Sequence, residues 1–306
     1  MIAAVWVGLL LVACAALAYD FWWRFPSRFV GTAFMQGFAG QVFLTYDDGP
    51  SSPSAPWGDG PTHDPSMRMA ILDSDPGWDF AATTTANLAR VLRQYDARAI
   101  FFVRGDVLEA DVRAREMAVR LRLDGHVIGN HSHSHNRLAE LSPAQAVEQI
   151  GRAHKTISAA IGAEVPVFRP PYGQWHVGLT WRLWRHKHLR HYGLPVGWSH
   201  ATRDWEMDAG QLARAKIEEA VDRFIDAALR SGEGAVSLQH DVWIYAVLFT
   251  RLLLERLEGD VRLRIGQPAD LVRHVQDVTS RAGPWALGFY FRDRLQRVTA
   301  VGRRWA

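Results

Sequence analysis

The sequence predicts an α/β fold, a single (β/α)7 barrel of parallel strands. After residue 40, short β-rich apolar runs alternate with stretches of helical periodicity. Strands that alternate with helices pair in parallel through right-handed crossovers, and seven such units suit a barrel better than an open sheet. The length of 306 residues fits as well, because such barrels use about 200–250 residues as one domain.

The elements of this barrel can be placed along the chain. The candidate strands are 41–46, 97–103, 126–130, 165–168, 194–199, 234–239 and 261–265. Apolar residues at helical spacing, which would share one face of a helix, indicate two of the helices. The first set is Val147, Ile150, Ile157 and Ile161, and the second is Ile217, Val221, Phe224 and Ala228. The stretch 51–80, rich in Pro, Ser, Gly and Asp, is predicted as an inserted loop forming a lid beside the first strand.

Both ends of the chain are predicted to lie outside the barrel, which would span 30–280. Residues 2–18 carry no charge and precede three aromatic residues, so 1–29 is expected to be a membrane anchor or signal segment. We favour an uncleaved anchor over a signal peptide cut after Ala18 or a lipoprotein signal before Cys14. Residues 281–306 are predicted as a basic amphipathic tail.

Composition excludes several classes of protein. Hydrophobic residues make up 48% and charged residues 22%, which is typical of a folded globular chain and not of a disordered or polytopic membrane protein. The 35 basic and 32 acidic residues nearly balance, so no nucleic-acid partner is predicted. The single cysteine, Cys14, excludes an internal disulfide and a cysteine-based zinc site.

Titratable and polar residues collect where the predicted strands end. Five strand ends carry, in order, Asp47 and Asp48, His131 to His135, Arg169 and Tyr172, Asp204 and Trp205, and His240. The active site of such a barrel is built at the carboxyl ends of its strands, from the loops of several different strands. The distribution therefore predicts one site.

The histidines and a carboxylate predict a metal centre within that site. His131 and His135 are four residues apart, one helical turn, and could converge on one ion together with Asp48. His133 has alternate spacing and is expected to point away and pack. Two imidazoles and one carboxylate suit one divalent ion, Zn²⁺ first and Co²⁺, Fe²⁺ or Mn²⁺ next, better than Mg²⁺ or Ca²⁺.

Such a centre predicts hydrolysis of an amide or ester. An open divalent site activates water near neutral pH and polarises a carbonyl. Asp47 is then the natural general base, with Arg169 keeping it ionised. His240, oriented by Asp204, could protonate a leaving amine.

The ordered motifs resemble those of the polysaccharide deacetylases, the NodB-type family also called carbohydrate esterase family 4. The motifs are Thr45-Tyr46-Asp47-Asp48-Gly49-Pro50, His131-Ser132-His133-Ser134-His135, Arg169-Pro170-Pro171-Tyr172-Gly173, Asp204-Trp205 and Leu238-Gln239-His240. They occur in the family's order across residues 41–241. The resemblance implies a distorted (β/α)7 barrel and release of acetate from N-acetylated sugars.

The resemblance also implies a role for each site residue. Asp47 would be the catalytic base, supported by Arg169, and His240 the acid, tuned by Asp204. The metal ligands would be Asp48, His131 and His135. The backbone N–H of Tyr172 would stabilise the oxyanion, and Trp205 would line the pocket.

Two features depart from the family pattern. The fourth motif usually has an Asp three residues before the retained Asp204, and that position is Ala201 here. The stretch 51–80 is longer than the family usually places after its first motif. The first departure predicts an altered pocket or altered supporting hydrogen bonds, and the second predicts restricted access for a long polymer.

The predicted function is therefore metal-dependent removal of an N-acetyl group from an amino sugar in peptidoglycan, chitooligosaccharide or a similar glycan. A membrane-associated deacylase or deformylase of a lipid-linked sugar is one alternative, and a non-catalytic sugar-binding relic is another. The expected partners are this glycan and, through the N-terminal segment, a membrane. An extracytoplasmic catalytic domain is expected, although Arg24 and Arg28 after the apolar run would place it in the cytoplasm by the positive-inside rule.

Overall fold

A parallel β-sheet organises the fold of the computed structural model, which describes residues 35–51, 65–175, 177–207 and 212–283. The strands are β1 Gln41–Asp47, β2 Ala99–Val103, β3 Val127–Asn130, β4 His200–Ala201, β5 Ala235–His240 and β6 Arg264–Ile265. The α-helices are α1 Pro65–Ser74, α2 Thr84–Gln94, α3 Gly105–Ala110, α4 Val112–Leu123, α5 Pro143–Ile161, α6 Val177–Arg185, α7 Arg214–Ser231, α8 Ile244–Leu257 and α9 Pro268–Ala282.

Strand β1 lies in the middle of the sheet. The strand order is β3-β2-β1-β5-β4, and β6 also pairs with β1. Every pairing is parallel, and Asp47 at the end of β1 is in register with Phe102 on one side and His240 on the other. Residues 42–47 are all buried, as expected for a central parallel strand covered on both faces. The loops that follow β1, β2, β3 and β5 therefore meet at one edge.

The two faces of β1 belong to different parts of the core. Val42, Leu44 and Tyr46 pack with residues of α2 and α8. Phe43 points the other way and packs in a cluster with Phe102 and with buried side chains from several other segments. This alternation follows from the two-residue period of a strand. Asp47, the last residue of β1, lies at the edge where the polar loops meet.

Regular pairing is interrupted where the fourth and fifth strands were predicted, so the closed barrel is not confirmed. In place of a strand at 165–168 there is a single bridge between Asn130 and Phe168. In place of a strand at 194–199, the short β4 begins at His200. Hydrogen bonds still link the two segments to each other, from the Val196 N–H to the Phe168 carbonyl at 2.8 Å, and the first segment to β3, from the Asn130 N–H to the Val167 carbonyl and from the Arg169 N–H to the Asn130 carbonyl, both at 2.9 Å.

Prolines give the physical reason for this difference. Pro166 lies in the first of these segments and Pro170 follows it closely, while Pro195 lies in the second. A proline has no backbone N–H to give to a ladder, so it is poorly tolerated inside a sheet. The apolar residues of both segments still enter the core, with Val167 and Val196 buried beside Phe43.

The described part of 51–80 contains helix α1, where the sequence predicted only loop, and Met67 and Ile71 of this helix are buried one helical turn apart. The turn-forming residues of the stretch hid this short apolar face. That 51–80 is an insertion forming a lid stays a prediction. The two long helices predicted from periodicity are confirmed as α5 and α7, with Ile150, Ile157 and Ile161 buried in the first. All four predicted apolar positions of α7 are buried as well.

The predicted terminal segments, 1–29 and the tail beyond 283, lie outside the described residues, as do 52–64 within the predicted lid. Among the residues that the structure describes, no helix has the length and apolarity needed to cross a membrane.

Candidate active site

The predicted site residues meet in one pocket at the carboxyl edge of the sheet. The pocket has a volume of about 430 Å³ and is lined by residues that include Asp47, Asp48, His131, His135 and His240. These five residues come from the ends of β1, β3 and β5 or from the loops that follow. The parallel arrangement brings them together because each of these strands ends at the same edge.

Asp48, His131 and His135 form a cluster that fits a metal ion. One potential ligand atom from each lies within 4.8 Å of the others, and no other such group of three occurs among the described residues. Oδ1 of Asp48 lies 3.1 Å from Nε2 of His135 and 3.6 Å from Nε2 of His131. That Oδ1 atom is buried without a hydrogen-bond partner among the described residues. A divalent cation would satisfy it, and carboxylate with imidazole is a common donor set for Zn²⁺.

Backbone geometry, not a helix, brings the two histidines together. The prediction that His131 and His135 are one helical turn apart is wrong, because the segment after β3 is a loop. Ser132 and His135 have left-handed φ values of 67° and 55°, and these turn the chain back on itself. His133 points away from the cluster, as predicted, and is buried with its Nε2 3.6 Å from Oε2 of Glu109.

The pKa values of both histidines of the cluster favour the neutral imidazole that a metal ligand needs. Burial lowers the pKa of His131 well below its usual value and lowers that of His135 as well, while the nearby Asp48 opposes the shift in each. Nδ1 of His131 lies 2.9 Å from the carbonyl oxygen of Arg169, to which its N–H donates. This bond fixes the ring and leaves Nε2 with a lone pair, which is what metal ligation requires.

Arg169 holds Asp47 in place beside the cluster. Its Nη1 donates to Oδ1 of Asp47 and to Oγ1 of Thr45, both at 2.7 Å. Nε and Nη2 donate to the carbonyls of Val196 and Gly197. The guanidinium is fully buried, so the four bonds fix its orientation. This pairing occupies Oδ1 of Asp47, and Oδ2 lies 3.7 Å from Nε2 of His131, on the side of the cluster.

His240 forms a second pair with Asp204. Its Nδ1–H donates to Oδ1 of Asp204 at 2.8 Å, and its backbone N–H donates to Oδ2 at 2.6 Å. Burial alone would lower the pKa of His240, but the charge and hydrogen bond of Asp204, with Asp48 and Asp47 nearby, raise it to about 9. The imidazole is therefore cationic near neutral pH, with Nε2–H directed away from Asp204.

Two aromatic residues predicted for the site line the same pocket and remain partly exposed. Tyr172 is 49% exposed with a left-handed φ of 59°, and its ring lies 4.7 Å from that of His135. Trp205 is 42% exposed and meets His240 edge to face at 5.2 Å. Ala201, the departure in the fourth motif, is an exposed residue of β4 paired with Leu238.

Sequence reasoning missed several residues of this site. Arg104, Trp198 and Trp243 line the pocket, although none stood out in the sequence. Arg104 directly follows β2, so its position after a predicted strand was the available signal. Trp198 packs against Gly173, where a Cβ atom would lie 2.5 Å from the indole.

Asp241 was also missed, because it directly follows the last motif. It is buried, and its Oδ2 accepts a hydrogen bond from Oγ1 of Thr85 at 2.7 Å. The carboxylate lies against Gly49, at which a Cβ atom would come within 2.0 Å of it. Burial, opposed by the Thr85 hydrogen bond, raises the pKa of Asp241 to about 7. This side chain therefore supports the loop that carries Asp48.

Comparison with protein families now identifies the chain. A sequence model described as "Polysaccharide deacetylase" matches residues 38–188, which include the first three motifs. The chain belongs to the polysaccharide deacetylase family. As a polysaccharide deacetylase it is an enzyme, a hydrolase with a NodB domain, as the motifs predicted.

Curated relatives of this deacetylase act on two kinds of glycan according to their names. It is similar to the chitooligosaccharide deacetylase of Azorhizobium caulinodans, 27% identical over 65% of this chain and 73% of that protein. It is also similar to the peptidoglycan-N-acetylmuramic acid deacetylase PdaC of Bacillus subtilis, 29% identical over 60% of this chain. The peptidoglycan-N-acetylglucosamine deacetylase PgdA of Listeria monocytogenes is 26% identical over 66% of the chain. The match covers 34% of PdaC and 32% of PgdA, about a third of each.

Solved structures agree with the α/β fold and its parallel sheet. A family 4 carbohydrate esterase from Streptomyces lividans, in complex with acetate, has a TM-score of 0.51 and 26% identity, with 74% of this chain and 92% of that chain covered. The chitin deacetylase of Colletotrichum lindemuthianum has a TM-score of 0.52 over 74% of this deacetylase and 85% of its own chain. At 24% identity, this second likeness concerns the fold alone.

Proposed function

We propose that this polysaccharide deacetylase removes the N-acetyl group from an N-acetylated amino sugar of a glycan such as peptidoglycan or chitooligosaccharide. The observation that carries the proposal is the cluster of Asp48, His131 and His135 directly beside Asp47, which Arg169 holds by a 2.7 Å hydrogen bond. The names of the relatives in two glycan classes support it. PdaC and PgdA are longer proteins, and this chain spans about a third of each. Their names therefore support the proposal only through the part of each relative that the chain matches.

Asp48, His131 and His135 would hold one divalent ion, Zn²⁺ by preference, in this mechanism. When bound, the ion would activate a water molecule and polarise the amide carbonyl. The chain's own contribution here is the orientation of the ligands. The hydrogen bond from Nδ1 of His131 to the Arg169 carbonyl sets one ring, and contact with Tyr172 sets the other.

Proton transfer would be divided between Asp47 and His240. Asp47 would accept the proton of the attacking water, and its hydrogen bond from Arg169 fixes the position of the carboxylate for that role. His240 gives its Nε2 proton to the departing amine, because Asp204 keeps the ring cationic and correctly oriented. The base and the acid thus have opposite proton states before the reaction, which is the arrangement that amide hydrolysis requires.

Tyr172 and Trp205 would bind the substrate and take no part in proton transfer. Tyr172 lines the pocket with a left-handed backbone, and its N–H would stabilise the oxyanion. Trp205 offers an exposed ring beside His240 against which a sugar can stack. Anchoring through residues 1–29 is part of the proposal, supported by the uncharged run of residues 2–18. We also propose an extracytoplasmic location; a cell-wall glycan as substrate supports it, and the placement of Arg24 and Arg28 after the run opposes it.

Acetate release tests the proposed function. We expect the Zn²⁺-loaded full chain to release acetate from peptidoglycan, chitooligosaccharides or acetylated xylan. Asp47→Asn should lower kcat by about 10²–10⁴-fold while leaving the bound zinc unchanged, because it removes the base and not a ligand. A chelator should abolish release, and added Zn²⁺ should restore it. Acetate would be measured enzymatically, and bound zinc by atomic absorption.

An exposed carboxylate provides the matched control for this test. Asp96 is 92% exposed in its side chain and pairs with Arg98 outside the pocket, so Asp96→Asn should leave the rate unchanged. Unchanged turnover in both the chelated protein and the Asp47→Asn variant would refute the mechanism. Intact zinc binding with no release from any acetylated sugar would favour the sugar-binding relic.

A further inference from the structure

Arg104 is a cationic residue of the pocket, and the deacetylation mechanism does not use its side chain. The residue lies between the end of β2 and the start of α3, and its backbone N–H donates to the Gly49 carbonyl at 3.4 Å. Among the described residues that line the pocket, it is the only arginine or lysine. Arg104 lines the same pocket as Asp48, His131 and His135, so the guanidinium shares the cavity with the cluster.

Asp106 fixes this guanidinium along one edge. Nε of Arg104 donates to Oδ1 of Asp106 at 3.0 Å, and Nη2 donates to Oδ2 at 2.7 Å. Oδ1 also accepts the backbone N–H of Val107 at 2.9 Å, so the carboxylate is itself anchored to α3. Nη1 of Arg104 has no hydrogen-bond partner within the described ranges. The side chain is only 12% exposed, which limits its alternative orientations.

The other charges of the pocket already have partners. Asp47 is paired with Arg169, and His240 is paired with Asp204. Asp48 belongs to the three residues proposed to hold the divalent ion. The Nη1 edge of Arg104 is thus the cationic donor that remains for a substrate. The tryptophans Trp198, Trp205 and Trp243 form apolar walls of the same pocket.

We propose that Arg104 binds an anionic group on the substrate, a carboxylate or a phosphate carried by the acylated sugar. This inference rests on the proposed function, because Arg104 shares the pocket with the residues that would hydrolyse the acetamide. A guanidinium matches the planar oxygens of carboxylate and phosphate, and a charged acceptor makes a stronger bond than a hydroxyl. A neutral sugar would displace water from Nη1 and replace it with a weaker hydrogen bond than a charged group makes. Arg104 therefore selects among acetylated sugars by charge.

Binding to a catalytically impaired full chain tests this selectivity without turnover. In a Zn²⁺-loaded Asp47→Asn background, isothermal titration calorimetry would compare three sugars. N-acetylmuramic acid carries a carboxylate, N-acetylglucosamine 1-phosphate carries a phosphate, and N-acetylglucosamine is neutral. We expect Arg104→Gln to weaken binding of the acidic sugars about 10–100-fold and to leave the neutral sugar nearly unchanged, since a charge-assisted bond is lost. The acidic sugar that shows the larger loss identifies the source of the anion.

A second arginine offers a matched control. Arg262 makes the same two-bond pairing with an aspartate two residues away, Asp260, but it is 63% exposed and does not line the pocket. Arg262→Gln should change none of the three affinities. Circular dichroism would show that Arg104→Gln keeps its fold, and Arg104→Lys should recover part of the preference because it retains the charge.

The outcomes separate this inference from the proposed function. Equal loss of affinity for acidic and neutral sugars, or no loss for either, in a folded Arg104→Gln variant would overturn the role of Arg104. If the wild type binds acidic sugars through Arg104 but releases no acetate from any of them, the proposed function fails while the anion-binding role stands.

Discussion

His240 lies between Asp204 and the carboxylates of Asp47 and Asp48, and this arrangement sets its proton chemistry. Burial opposes the cationic form, but the negative neighbours raise the pKa to about 9. A general acid must be protonated before it can act, so the rate should fall as the pH rises through that value. The same shift stabilises the folded chain below pH 6.5, and this stabilisation is lost as the pH rises towards 9.

Removing the charge of Asp204 should move the alkaline limb of the pH–rate profile. In Asp204→Asn the pKa of His240 falls, because burial then acts with less opposition, and we expect kcat/KM to decline at a lower pH than in the wild type. The rate at neutral pH should fall about 10–100-fold. Profiles of acetate release from pH 5 to 10 would measure the shift. Glu206→Gln is the control, because Glu206 lies in the same short 3₁₀ turn, Asp204–Glu206. An unmoved alkaline limb in Asp204→Asn would contradict the assignment.

Individual residues were predictable to the extent that they followed strand ends. Asp48, His131 and His135 were expected to converge because parallel strands end at one edge, and they do so. The left-handed turns at Ser132 and His135 were not foreseen, since nothing in the residue types demands them. Arg104 was missed for a different reason: a single arginine after a strand has no partner pattern in the sequence.

At the scale of elements, α5 shows how local sequence fixes a boundary that the site depends on. Ser142 accepts the N–H of Gln145 and the Gln145 side chain accepts the N–H of Ser142, which makes a capping box at the start of the helix. The helix supports the metal-site strand directly, because the side-chain amide of Asn130, the last residue of β3, donates to the Ile150 carbonyl at 3.0 Å. His131 follows at once.

Loss of this cap should destabilise the chain without touching the pocket. We expect Ser142→Ala to lower the free energy of unfolding by about 1 kcal/mol, because the Gln145 N–H loses its acceptor and the Gln145 side chain loses the hydroxyl that donates to it. Urea unfolding followed by circular dichroism would measure it. Ser142→Asp retains a capping oxygen and should restore most of the loss. If Ser142→Asp is as unstable as the alanine variant, the cap is not the cause.

The elements themselves were predicted best where one period dominates. α5 and α7 each repeat apolar residues at helical spacing over several turns, and both were found. The segments around Val167 and Val196 are equally apolar, but their prolines prevent a ladder, and the apolar pattern does not record that effect. Helix α1 was not predicted, because its ten residues adjoin a stretch of turn-forming residues that indicated a loop.

Across the whole molecule, buried neutral histidines oppose stability in acid. His126 is 5% exposed, accepts the Ala99 N–H at Nδ1 and has a pKa lowered to about 4, by burial first and then by Arg98. Burial also lowers the pKa of His131, His135, His154 and His191. In the unfolded chain these histidines bind protons near pH 6.5, whereas in the folded chain they stay neutral. The free energy of unfolding therefore falls as the pH drops below that value.

We therefore expect the metal-free chain to lose stability between pH 7 and pH 5. For His126 alone, the difference between a pKa of 6.5 in the unfolded chain and about 4 in the folded chain amounts to roughly 2 kcal/mol over that interval. His126→Asn keeps an acceptor for Ala99 but cannot be protonated, so its loss should be smaller by about that amount. Urea unfolding at both pH values would measure it. Equal losses in the variant and the wild type would show that His126 does not titrate as described.

The adjacency of Asp47 and Asp48 along the chain has a consequence for ion exchange. One peptide unit, about 3.8 Å between Cα atoms, separates the proposed base from the proposed ligand. Covalent geometry thus keeps their backbones adjacent whichever ion is bound, and the hydrogen bond from Arg169 holds the Asp47 carboxylate. Replacing Zn²⁺ by Co²⁺ or Mn²⁺ would then change the acidity of the water while the proton acceptor stays where it is. A series of substituted enzymes would isolate the electronic contribution of the metal from that of the protein.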